Sequence, residues 1–144
     1  MSRNHSRQPN SAAHEDMEKA KRILIIDDDT LTRGLLRMLF EADGFQCEEA
    51  EDGTAALDRL DRGTFDLVIT DHQMPGVTGL ELLQRLTLKS PTASPPIIFL
   101  TGNLSCTLKE DAYRSGASAV LAKPYNLHEL RTISYSLLDP RPPR

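Results

Sequence analysis

The sequence predicts an α/β fold built around a parallel sheet, and three observations carry the prediction. Five short apolar runs recur along the chain, longer segments of helical period separate them, and the strongest runs are continuously apolar, as strands covered on both faces must be. With 144 residues, 39% hydrophobic and 26% charged, the chain has room for one folded domain and none for a second.

The elements follow in order. Residues 1–20 mix Ser, Asn, Gln, Pro and charge without sustained periodicity, which predicts a flexible arm with at most a helical turn from Glu15 to Ala20. The domain itself is expected over residues 21–139, with a frayed tail at 140–144. Ile23 to Ile26 is the first strand, ending abruptly in Asp27, Asp28 and Asp29. The helix after it places Leu31, Leu35, Leu39 and Ala42 on one stripe with Met38 beside them, and Gly44 stops it. A weaker strand from Gln46 to Ala50 leads to a helix carrying Ala56, Leu57 and Leu60, ended by Gly63. Phe65 to Thr70 is the third strand, closing on Asp71. After Met74, Pro75 and Gly76 a helix begins near Gly79 with Leu80, Leu83 and Leu86 at helical spacing. Three prolines between Lys89 and Pro96 mark a loop. Ile97 to Thr101 is the fourth strand, followed by a helix with Leu104, Leu108 and Ala112 that Gly116 ends. Ala119 to Ala122 is the fifth, closing on Lys123 and Pro124, and the last helix, Leu127 to Leu138, turns Leu127, Leu130, Ile133, Ser134 and Leu137 inward.

Several function classes are disfavoured by composition. A net charge of −4 lacks the basic footprint of nucleic-acid binding, and no apolar run approaches the ~20 residues of a membrane span. The first twenty residues have no hydrophobic stretch of a secretory signal, so the expected location is the cytoplasm. Cys47 and Cys106 are far apart and form no C-x-x-C pattern, so both are expected to be small packing residues rather than a disulfide or zinc ligands.

The chemistry-bearing residues share one kind of position. Asp27 to Asp29, Asp71, Thr101 and Lys123 each close an apolar strand, and in an open parallel sheet those carboxyl ends share the edge where ligands bind. Carboxylates gathered there repel: two unit charges 4 Å apart cost about 4 kcal/mol at an effective dielectric of 20. A cation must compensate them, and hard oxygen donors without Cys or His select Mg²⁺ or Mn²⁺. A hydroxyl from Thr101 and an ammonium from Lys123 could hold the oxygens of a transferring phosphoryl group, with Asp71 as nucleophile. Any one of these residues alone reads as a helix cap or solvated surface; four coincident strand ends do not. Asp29 is expected to act as a cap, and His72 as an exposed loop residue.

The motifs Ile-Leu-Ile-Ile-Asp-Asp-Asp, Val-Ile-Thr-Asp-His-Gln-Met-Pro-Gly-Val-Thr-Gly, Phe-Leu-Thr-Gly and Leu-Ala-Lys-Pro-Tyr, in this order, resemble response-regulator receiver domains from about Lys21 to Leu138. The resemblance implies a flavodoxin-like (βα)5 three-layer sandwich with a five-stranded parallel sheet in the order 2-1-3-4-5. It implies a phosphorylation switch in which Asp71 accepts a phosphoryl group from a phosphohistidine of a sensor histidine kinase or a histidine phosphotransfer protein. Asp28 takes the main metal-ligand position, Asp27 the second acidic one, and Gln73 offers its backbone carbonyl; Thr101 and Lys123 take the phosphoryl-binding positions. The resemblance further implies a cis Lys123–Pro124 bond, roles for Gln73 and Asn103 in tuning hydrolysis of the acyl phosphate, and open access at Gly102. It implies a phosphoacceptor module that catalyses only its own phosphorylation and dephosphorylation; with no room for an output domain, the chain is expected to act as a stand-alone receiver in a phosphorelay that passes its signal to a downstream protein target.

One position departs from the family pattern. Three residues before the lysine the family usually carries Tyr or Phe, and here Val120 stands there. A β-branched side chain is short and stiff, so an aromatic rotamer switch cannot operate, and the conformational response over the fourth helix, fifth strand and fifth helix is expected to be weaker.

The competing readings fit fewer residues. A magnesium-dependent phosphatase similar to the haloacid dehalogenase superfamily would need an acidic pair after the lysine strand, where Pro124 to His128 supply none, and would leave Asp71 without a role. A flavoprotein of the same topology would need phosphate-cradling rather than acidic loops, and a purely scaffolding receiver would not need every phosphoryl-site position filled.

Overall fold

The computed structural model describes residues 20–89, 94–102 and 105–139. Five strands alternate with five helices: β1 (Arg22–Ile26), α1 (Thr30–Ala42), β2 (Gln46–Ala50), α2 (Gly53–Arg62), β3 (Leu67–Asp71), α3 (Gly79–Lys89), β4 (Ile97–Thr101), α4 (Cys106–Arg114), β5 (Ala119–Ala122) and α5 (Leu127–Leu138). All strand pairs are parallel and the sheet runs β2-β1-β3-β4-β5, the order the resemblance implies.

Because strand side chains alternate between faces, the continuous apolar runs feed two separate cores. On one face Leu24, Ile26, Val68, Ile97, Phe99 and Val120 pack with Ala56, Leu82, Leu83, Leu86 and Ala112 of α2, α3 and α4. On the other, Ile23, Ile25, Leu67, Ile69, Ile98, Leu100 and Leu121 pack with Leu36 and Phe40 of α1 and Leu130 and Leu138 of α5. Burying one such side chain contributes about 1.5–3 kcal/mol, so both layers are held by the sheet between them.

The inward stripe of α1 differs from the expected one. Leu36 and Phe40 are buried, while Leu31 is 71%, Leu35 58% and Met38 69% exposed. Apolar residues cover more than half the circumference of this helix, so periodicity permits two registers one residue, about 100°, apart. In the observed register Leu36 and Phe40 enter the core, Arg33 and Arg37 both reach Glu49 on β2, and Leu35 faces outward. Leu127 is likewise exposed: Asn126 caps α5 by accepting from the His128 and Glu129 amides, which leaves Leu127 in the first turn above the core. Leu80 is half-buried, and Leu82, which the expected stripe omitted, is fully buried. Phe65 is buried just before β3 rather than within it, its ring under the Arg22 guanidinium at 4.5 Å. Cys47 packs in the core as expected, but Cys106 opens α4 and is exposed.

Residues 1–19, 90–93, 103–104 and 140–144 lie outside the described residues, and with them the expected arm, part of the expected proline loop, the expected roles of Asn103 and Leu104, and the expected tail. Among the described residues no helix is long and apolar enough to cross a membrane.

Candidate functional site

The sheet's hydrogen bonds continue one residue past three of its strands, and this fixes the acidic edge. The Asp27 amide donates to the Ala50 carbonyl at 3.1 Å, the His72 amide to Leu100 at 2.9 Å, and the Lys123 amide to Thr101 at 2.8 Å. Asp27, Asp71 and Lys123 are therefore carried on backbone that belongs to the ladder rather than to mobile loops.

Asp27 and Asp71 are 2% and 4% exposed, and Asp28 is open to solvent. One carboxylate oxygen from each of the three lies within 4.8 Å of the others. The Lys123 ammonium stands 3.0 Å from Asp71 Oδ1 and 3.9 Å from Asp27 Oδ2. These are charge contacts rather than aligned hydrogen bonds, since neither Asp71 Oδ1 nor Asp27 Oδ2 has a hydrogen-bond partner among the described residues. Asp27 Oδ1 is occupied differently: it accepts from the Asp29 amide at 2.9 Å. One oxygen of Asp27 thus anchors the loop and the other faces the pocket.

Burial raises the Asp27 carboxyl above its ordinary pKa; the Asp29 hydrogen bond opposes this and repulsion from Asp71 adds to it. Burial works to lower the Lys123 ammonium, but its contact with Asp71 and the charges of Asp71 and Asp27 outweigh burial and raise it. One ammonium cannot neutralise three carboxylates. Two buried carboxylate oxygens without a hydrogen-bond partner among the described residues, beside a third carboxylate at the surface, are donors suited to a hard divalent cation.

The remaining residues are placed as follows. Thr101 is fully buried at the end of β4, beside Ala122 of β5 and one residue beyond the Asp71–Leu100 pair. Gln73 is exposed two residues past Asp71. At Gly102 a Cβ would meet nothing within 4 Å among the described residues. The Lys123–Pro124 bond is cis. Asp29 caps α1, accepting from the Thr32 amide at 3.3 Å and from the Thr32 hydroxyl, which fits its expected role. His72 corrects the expectation of an exposed loop residue: it is half-buried, its ring centroid 5.2 Å from that of Phe99, and its Nδ1 is buried without a partner among the described residues.

Two contributors to the site were not singled out from sequence. Gly79 allows the chain to fold back under Asp71: a Cβ there would lie 2.4 Å from the Asp71 carbonyl oxygen and 2.8 Å from His72 Cα. Arg33 donates from Nη1 to the Asp27 carbonyl at 2.7 Å. Its signal in the sequence is a cation near a helix N-terminus, where the helix dipole disfavours one.

The family described as "Response regulator receiver domain" matches residues 23–134. Chemotaxis protein CheY-3 of Vibrio cholerae serotype O1 is 31% identical over 116 residues, covering 80% of this chain and 89% of its own. A segment of the sensor histidine kinase RcsC of Salmonella typhi, 11% of that protein, is 34% identical over 109 residues. Among solved structures, Vibrio cholerae CheY4 has a TM-score of 0.76 at 29% identity, covering 82% of this chain and 98% of its own. A Burkholderia pseudomallei response regulator solved with a phosphorylated aspartic acid, a calcium ion and citrate has a TM-score of 0.71 at 28% identity, covering 83% of this chain and 66% of its own. The chain belongs to the response regulator receiver domains of two-component signalling, phosphoacceptor modules rather than classical enzymes.

Proposed function

We propose that this receiver accepts a phosphoryl group on Asp71 from a phosphohistidine of a sensor histidine kinase or a histidine phosphotransfer protein, and relays the signal in the cytoplasm to a downstream protein. The observation that carries the reading is the pocket itself: three carboxylates within 4.8 Å of one another and a lysine ammonium 3.0 Å from Asp71 Oδ1. In the transfer an Asp71 oxygen forms the new P–O bond while the P–N bond to the donor imidazole breaks, and the imidazole leaves with the electron pair and takes up a proton. Lys123 holds charge on the transferring oxygens from the position where it now faces Asp71. Thr101, at the end of the neighbouring strand, is assigned the hydroxyl that orients them.

Asp27, Asp28 and Asp71, with the backbone carbonyl of Gln73, would hold Mg²⁺ or Mn²⁺. When bound, the ion supplies Lewis-acid neutralisation of the phosphoryl oxygens. The orphaned oxygens of Asp27 and Asp71 support this assignment, and the calcium ion in the Burkholderia relative supports a divalent cation of hard type.

The test is intact-mass analysis after incubation with Mg²⁺ and acetyl phosphate, followed by transfer from a phosphorylated histidine phosphotransfer protein. A single phosphoryl adduct, absent in Asp71→Asn and without Mg²⁺, is expected. An adduct retained in Asp71→Asn would contradict the assignment.

A further inference from the structure

Arg33 is held away from solvent, with a side-chain exposure of 12%, and its guanidinium spans two elements. Nη1 donates to the Asp27 carbonyl at 2.7 Å, and Nε donates to Glu49 Oε1 of β2 at 3.0 Å. Glu49 is itself braced, because its other carboxylate oxygen accepts from Arg37 Nη1 at 3.1 Å. The Asp27 carbonyl belongs to the peptide that joins Asp27 to Asp28, so its direction governs how those two carboxylates are presented to each other. On the amide side Asp27 is already tied to the Ala50 carbonyl of β2. Arg33 ties the carbonyl side, through Glu49, to the same strand.

We propose that Arg33 is a positioning residue for cation binding: its planar fork fixes the Asp27–Asp28 peptide against β2, and so sets the relative placement of two carboxylates in the pocket. The inference rests on the pocket being a divalent-cation site. It has a consequence opposite in sign to that of simple electrostatics. As a nearby positive charge Arg33 opposes binding of a second cation, so removing it should tighten binding if charge were its only influence. As the group that holds the Asp27 carbonyl it promotes binding, so removing it should loosen the site.

The experiment is calorimetric titration of Mg²⁺ into the full chain and into Arg33→Gln, Arg33→Lys and Glu49→Gln, with urea unfolding of each protein in EDTA. Arg33→Gln is expected to weaken Mg²⁺ binding about tenfold. Arg33→Lys keeps the charge but loses the fork and is expected to weaken binding severalfold, and Glu49→Gln, which removes the charged brace alone, to fall between it and the parent. Lysine rescue to full affinity, or Mg²⁺ bound by Arg33→Gln as tightly as by the parent or more so, would overturn the proposal. Failure of the parent chain to bind Mg²⁺ would remove the cation reading itself and the proposal with it, an outcome distinct from equal binding by parent and variants. If Arg33→Gln does not fold, the lysine and Glu49 variants still decide the matter.

Discussion

The hydroxyl of Tyr113 on α4 accepts a hydrogen bond from the Val120 amide of β5 at 3.2 Å. Strand β5 pairs with β4 and is the last strand of the sheet, so this amide would otherwise face outward without a ladder partner. An aromatic side chain thus reaches the strand position that carries no aromatic of its own, but it does so from the neighbouring helix. Val120 is buried opposite Phe99, and its short, stiff β-branched side chain carries no ring to exchange between outward and inward states.

Tyr113→Phe removes this acceptor and is expected to destabilise the domain by about 0.5–1.5 kcal/mol, read as a lower urea midpoint at unchanged slope. The response to phosphorylation should also be smaller than in a domain with an aromatic at the Val120 position. Amide shift changes at Tyr113, Tyr125 and Tyr135 on phosphorylation that match those of such a domain would remove the argument.

The two thiols should behave oppositely. Burial pushes the Cys47 thiol up to about 12, whereas Cys106 is exposed at the start of α4. One thiol per chain is expected to react with a thiol reagent at pH 8 in native protein and two in denaturant; Cys106→Ser should leave none reactive in the folded state.

Two glycines predict effects of opposite sign. At Gly34 an added Cβ meets nothing within 4 Å, and the residue sits inside α1, so Gly34→Ala should stabilise by about 0.5–1 kcal/mol and raise the melting temperature by several degrees. At Gly79 the same change drives a methyl group into the Asp71 carbonyl and His72 Cα. Gly79→Ala should lower stability by about 2 kcal/mol or more and slow phosphorylation, because the backbone that must shift carries Asp71.

What the amino-acid sequence makes legible depends on how many independent signals a residue carries. The strand-end placement of Asp27, Asp28, Asp71 and Lys123 was legible because each closes an apolar run, and parallel topology then brings the ends together. The helix faces were less so. Leu31, Leu35 and Met38 satisfy helical spacing as well as Leu36 and Phe40 do, and the second set is the one that packs into the core while Arg33 and Arg37 reach Glu49 across the chain. Contacts such as Arg33 to the Asp27 carbonyl, or Gly79 beneath Asp71, join positions whose proximity no local pattern announces.

The same Arg33–Glu49–Arg37 cluster sets a pH dependence. Burial works to raise the Glu49 carboxyl, but hydrogen bonds from Arg37 and Arg33 outweigh it and hold it below its ordinary value of 4.5. A carboxyl depressed in the folded state binds fewer protons there than in the unfolded state, so its stabilisation is complete above about pH 4.5 and is lost as pH falls through the folded value. Glu49→Gln should flatten the acid limb of the stability curve measured by urea unfolding as pH falls below about 4.5. An unchanged acid limb would mean the cluster does not couple to folding.

The acidic pocket itself should cost stability when no ion is bound. Asp27 and Asp71 are buried, each with an oxygen that accepts no hydrogen bond among the described residues, and the Lys123 ammonium is shared between them at 3.9 and 3.0 Å. Replacing Asp27 by Asn removes one of the repelling charges while keeping an oxygen that can accept from the Asp29 amide. In EDTA, Asp27→Asn is therefore expected to melt a few degrees higher than the parent, a gain on the order of 1 kcal/mol. With millimolar Mg²⁺ the order should reverse, since the parent gains stability from binding and the variant has lost a ligand charge. Paired melting curves with EDTA and with Mg²⁺ check both halves; a variant that melts lower in EDTA would show that Asp27 is held mainly by Lys123 and the Asp29 amide, and that the pocket stores no repulsion for a cation to relieve.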